Sequence, residues 1–177
     1  MKKLIYIATI VFLATSAYGQ TEELFKVKGA AKLISTWTSK TPNDTSGTLA
    51  SGDKISFETI QSSIIVRVIH NKFSKWLVGL SDENAIVKVY EYDFDNDGQN
   101  EIIIIYSPGY TIVTIEVFRY SGGLAERVGN FAGQFEIVLD KNTISMPFGS
   151  QGIPDEYLYR DGVFYNLVQH DPNKIDH

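Results

Sequence analysis

Apolar and polar residues alternate with a period of two along most of this chain. Ile55 and Phe57 alternate with Ser56 and Glu58. Ile64, Val66 and Val68 alternate around Arg67, while Ile65 and Ile69 make that segment apolar on a second face. Ile86, Lys88, Tyr90 and Tyr92 alternate with Val87, Val89 and Glu91. Successive side chains of a strand point to opposite faces, so this period predicts β-strands. Ile102–Tyr106 is instead an unbroken apolar run, as expected of a central strand buried on both sides. Further strands are predicted over Thr111–Tyr120, Ala125–Asn130, Gln134–Leu139, Thr143–Met146, Glu156–Arg160 and Val163–Val168. Gly122-Gly123 and Asp161-Gly162 are hairpin signals, because these residue types accept positive φ. Lys72–Leu80 carries Phe73, Trp76 and Leu77 at spacings of three and one, a pattern compatible with a short helical turn.

The N-terminal part is less regular. Lys2 and Lys3 precede an apolar stretch, Leu4–Ala14, followed by small residues with Ala17 and Gly19 before Gln20. This pattern predicts a secretory signal peptide over residues 1–19, too short for a membrane span. Residues 20–53 form a poorly defined segment. Leu24–Trp37 predicts one or two short strands, and Thr38–Asp53 is rich in Ser, Thr, Gly, Asn and Asp, as loops are. A β domain is expected over 54–169, then a polar tail over 170–177. Short strands with frequent turn signals predict an all-β fold. The expectation is a single antiparallel β domain, a sandwich or propeller-like sheet.

Composition narrows the setting. The formal net charge is −5, and loss of Lys2 and Lys3 would take it to −7. Such a balance argues against nucleic acid and anionic membrane surfaces as partners. The chain has no Cys, so no disulfide framework supports it. Export without Cys suits a secreted or periplasmic bacterial protein.

One stretch looks like chemistry. Asp93, Asp95, Asp97 and Glu101 occupy positions 1, 3, 5 and 9 of a loop with Gly98 at position 6. Alternate side chains of a tight loop converge on one centre. Asp holds its oxygen close to the backbone, and Gly allows the sharp turn. Gln99 would offer its backbone carbonyl, and Glu101 would close the set directly or through water. There is no basic residue between Lys88 and Arg119, so nothing nearby in sequence neutralises these acids. The spacing predicts a bound cation. Calcium suits a flexible all-oxygen cage better than magnesium, and zinc lacks Cys or a nearby His. The competing account is a solvated acidic turn held by Asx hydrogen bonds.

An EF-hand is excluded at position 12, which is Ile104, and by the β-like flanks. The stretch resembles the β-hairpin calcium loops of the FG-GAP/VCBS repeat families, Asp-x-Asp-x-Asp-Gly-x-x-Asp before a short apolar strand. Asp93, Asp95, Asp97 and Gly98 match, and Glu101 stands for the last Asp. The resemblance spans about 15 residues. It implies a secreted β domain with one calcium-loop hairpin. A looser similarity, in size, export signal and acidic loop, is to proteinaceous lysozyme inhibitors.

Other constellations are sparse. His70 ends a strand, as a rim residue would, while His170 and His177 sit in the tail. Gly149-Ser150-Gln151-Gly152 is one residue short of a nucleophile elbow. Tyr106, Tyr110, Tyr120, Tyr157, Tyr159 and Tyr165 could stack on sugars, but cross-strand packing is the simpler role. No catalytic residue is assigned. The expected function is a non-enzymatic calcium-binding module with a protein or glycan ligand. The alternatives are an inhibitor of a cell-wall lytic enzyme and, less favoured, a metal-dependent hydrolase.

Overall fold

The computed structural model describes residues 25–39, 46–81, 85–107, 112–134, 136–149 and 151–167. The predicted signal segment, the tail, Tyr110, Ser150, His170 and His177 lie outside the described residues. Fifteen strands and no helix occur among them. In chain order these are β1 (Lys26–Gly29), β2 (Lys32–Trp37), β3 (Gly47–Thr48), β4 (Lys54–Ile60) and β5 (Ser63–His70). Next come β6 (Phe73–Leu80), β7 (Ile86–Tyr92), β8 (Glu101–Ser107), β9 (Ile112–Ser121) and β10 (Leu124–Gln134). The series ends with β11 (Glu136–Asp140), β12 (Thr143–Met146), β13 (Phe148–Gly149), β14 (Asp155–Arg160) and β15 (Val163–Asn166).

The strands form three sheets. A six-stranded sheet has the order β13-β10-β9-β8-β7-β2, a five-stranded one β1-β11-β12-β14-β15, and a four-stranded one β3-β4-β5-β6. Pairing is antiparallel except for β1, which runs parallel to β11.

The six-stranded sheet is the middle layer, with a core on each face. On one face Val87, Val89, Ile102, Ile104, Phe118 and Tyr120 pack against Ile55, Ile64, Val66 and Val68 of the four-stranded sheet. On the other, Ile103, Ile105, Val113, Ile115 and Val117 meet Ile137, Leu139, Ile144 and Met146 of the five-stranded sheet. Ile102 to Ile105 are all 0% exposed. A strand buried on both faces has no polar face to show, which is why this run breaks the period of two.

Two regions depart from expectation. The one or two strands expected over Leu24–Trp37 are β1 and β2, whereas the loop expected over Thr38–Asp53 contains β3; each of the three is an edge strand, one in each sheet. Lys72–Leu80 is no helical turn but mostly strand β6, paired with β5. Val66 pairs with Val78 and Arg67 with Trp76, leaving Leu77 as an extra residue. This bulge reverses the facing of the residues before it. Trp76, which would otherwise share the core face of Val78, is turned out to 60% exposure beside the Arg67 guanidinium, 5.4 Å from its ring centroid.

Deleting methylenes from either face of β8 opens a cavity in a different core. Ile103→Ala and Ile104→Ala should therefore each cost about 2–5 kcal/mol, read from urea denaturation. A negligible loss at one of the two would contradict a doubly covered strand.

Candidate metal site and the loop end of the sheets

The turns of all three sheets meet at one end of the molecule. The β3–β4 turn is tied to β7, since Ala50 N–H donates to both carboxylate oxygens of Glu91 at 2.8 and 3.0 Å. The β11–β12 turn is tied to the β7–β8 loop, since Asn142 N–H donates to Phe94 O at 3.1 Å. The β14–β15 turn is tied to β9, since Arg119 donates to Gly162 O at 3.0 Å.

The acidic loop sits at this end, between β7 and β8. The carboxylates of Asp93, Asp95 and Asp97 each offer an oxygen, and these oxygens lie within 4.8 Å of one another. They form a group able to hold a metal ion. The loop's own amides shape it: Asp97 N–H donates to Asp93 Oδ1 (3.1 Å) and Asp95 Oδ1 (3.3 Å), and Gly98 N–H to Asp93 Oδ2 (2.9 Å). Gln99 N–H donates to Asp97 Oδ1 at 2.7 Å. Asn96 and Gly98 adopt φ of +58° and +86°. At Gly98 it is the left-handed backbone, not crowding, that asks for glycine.

Glu101 is placed differently from the expected closing ligand. It is the first residue of β8, buried to 4% exposure and outside the group of three. Its Oε2 accepts from Phe94 N–H at 3.2 Å and its Oε1 from the Tyr159 hydroxyl at 3.2 Å. Burial pushes its carboxyl up; the two donors oppose that and the charge of Asp95 adds to it. Glu101 thus fastens the loop to the layer beneath. Phe94, in mid-loop, is fully buried. Its ring lies edge-on to Tyr92 and Phe164 at 4.9 and 5.3 Å and beside Tyr159 at 5.6 Å. The carboxylates face outward on a loop whose alternate residue is sunk in the core.

A second carboxylate organises the same end. Asp53, read from sequence only as a loop residue, accepts from the Tyr120 hydroxyl at 2.6 Å and from Ser51 Oγ at 3.0 Å. His70 Nδ1 lies 2.9 Å from its other oxygen. The chain crosses close by: a Cβ at Gly123 (φ +84°) would sit 2.9 Å from the His70 ring. His70 is a rim residue, as expected, but it takes part in a joint between the four- and six-stranded sheets. The Tyr120 hydrogen bond holds the Asp53 carboxyl below its ordinary value, with Ser51 and His70 helping against desolvation. Burial, with the same contact adding to it, raises the Tyr120 phenol well above its usual range.

The tyrosines considered for sugar stacking are mostly internal. Tyr120 and Tyr159 are buried, Tyr157 packs on Phe131 at 4.2 Å, and the Tyr106 hydroxyl donates to Glu116 at 3.2 Å. Tyr165 is exposed. Searched as a whole, the chain matches no family model, no curated protein and no solved structure.

The Asp53 joint has a pH signature. A carboxyl lowered in the folded state contributes stability above its unfolded pKa, near 3.8, and loses it as pH falls through the folded value. Asp53→Asn should therefore be less stable than the wild type at neutral pH. The gap should close below about pH 4, as followed by thermal melts across pH. A gap independent of pH would show that the carboxylate charge is not what matters.

Proposed function

We propose that this chain is a secreted or periplasmic calcium-binding β module with a non-enzymatic role in binding a protein or glycan. The observation that carries the ion is the convergence of the Asp93, Asp95 and Asp97 oxygens within 4.8 Å. Three carboxylates this close repel one another unless a cation lies among them. The donor set is all oxygen and borne on a short loop, which suits calcium. The resemblance of residues 93–101 to FG-GAP/VCBS loops points the same way, and the Lys2–Gly19 pattern supports export.

The ion's role in this reading is structural. The loop's other anchors, Phe94 and Glu101, are already sunk in the core, so a cation would fix the exposed half and stabilise the native state alone. A binding role is favoured over catalysis because His70 and the carboxylates of Asp53, Glu91 and Glu101 at the loop end are engaged in hydrogen bonds within the fold. Asp53 holds His70 and Tyr120, Glu91 holds Ala50, and Glu101 holds Tyr159.

Calcium at a hundredfold excess over Kd adds about 2.7 kcal/mol. For a chain of this size that is roughly 5–10 °C in Tm. Melts in calcium and in chelator should differ by that amount, and Asp95→Ala should abolish the difference. Superimposable melts for the wild type would overturn the ion.

A further inference from the structure

We propose that the outer edge of β6 is a docking site for an extended segment of a partner protein, one that is acidic on one face and apolar on the other. The inference rests on the binding-module reading and names the partner class. β6 is the last strand of the four-stranded sheet, and no described strand pairs with its outer side. The layer beneath extends further. β10 turns Arg127, Asn130 and Ala132 toward the same side as the buried Phe118 and Tyr120, yet all three are exposed. A ledge on β10 therefore runs beside β6, walled by a backbone edge that no described strand pairs. An added strand would gain main-chain hydrogen bonds from the edge and side-chain specificity from the ledge.

Natural edges are usually blunted by a charge or a bulge. β6 carries both, the charge on its first half and the bulge after it. The Lys75 ammonium is turned inward to Ala125 O at 2.6 Å, and the bulge at Leu77 lies beyond Trp76. Phe73 and Trp76 nonetheless stand 79% and 60% exposed along this strand.

Charge selects the occupant. The chain is acidic as a whole, yet residues 59–81 contain no Asp or Glu and carry Lys72, Lys75 and Arg67, the last paired with Glu58 of β4. Arg127, 56% exposed, gives one arm to Glu116 and adds a cation on the ledge. Side chains of an added strand alternate between ledge and solvent faces. Acidic residues facing inward would meet Lys75 and Arg127, and apolar residues facing outward would lie against Trp76.

The test uses the full chain and fluorescein-labelled octapeptides: alternating (Glu-Val)4, alternating (Lys-Val)4 and the block isomer Glu4Val4. Fluorescence polarisation should show binding of (Glu-Val)4 alone, with amide shifts confined to β6 and β10. Lys75→Glu and Trp76→Ala should each weaken it by about tenfold. Equal binding of both charge types or of the block isomer, shifts elsewhere, or no binding at millimolar peptide would overturn the proposal. So would a dimer in sedimentation that Trp76→Ala dissolves, because a second copy would then own the edge. If a variant misfolds, the comparison of peptides on the wild type still decides. A chain that calcium stabilises but that ignores the acidic peptide loses only this partner class. One that binds the peptide without responding to calcium loses only the ion.

Discussion

The double burial of β8 is the constraint on which the rest depends. Its four consecutive isoleucines can be covered only if a sheet lies on each side of the middle layer. Their backbone groups are paired laterally with β7 and β9, so the strand leaves no polar group to solvent along this run. Each outer sheet is held because the facing side of the middle sheet, β8 included, supplies the other wall of its core. The same geometry fixes the ends: β8 begins at the acidic loop, so whatever happens in that loop acts on the strand shared by both cores.

The loop is built from two interleaved sets of residues. Odd positions Asp93, Asp95 and Asp97 carry charge outward, while Phe94 between them is buried in an aromatic cluster with Tyr92, Tyr159 and Phe164. Burial of a ring of this size outweighs any single exposed hydrogen bond, by about 3–5 kcal/mol against about 1. The loop's position is therefore set by Phe94 and Glu101. Its electrostatics are set by the three Asp, whose mutual repulsion is what a cation would relieve. Separation of these duties lets a charged loop persist on the rim of an apolar core.

Much of this was legible in the sequence, for identifiable reasons. The run Ile102–Ile105 announced a strand covered twice, and Asp161-Gly162 announced a hairpin because its φ values of +53° and +80° suit those residues. The acidic spacing brought three of its carboxylates together as expected. What stayed hidden depends on contacts between distant residues. Period-two alternation says which residues share a face but not which sheet covers it, so the three-layer stack could not be read. Glu101 fits a ligand position by spacing, yet its hydroxyl partner is Tyr159, 58 residues away. β6 was misread because the bulge at Leu77 interrupts the alternation, and the interruption imitates helical spacing.

That interruption bears on where recognition can occur. Without the extra residue, Trp76 would lie on the core face, and the edge would be an ordinary amphipathic strand. With it, an aromatic ring stands in solvent beside Arg67, within the acid-free stretch 59–81. Burying Trp76 would gain roughly 2–3 kcal/mol of transfer free energy, and the fold forgoes that gain. The Asp53 joint and the anchors of the acidic loop tie the adjacent turns to the sheets by hydrogen bonds, at the end where the exposed edge begins. In the docking proposed for β6, that exposed ring is the apolar contact an added strand would cover.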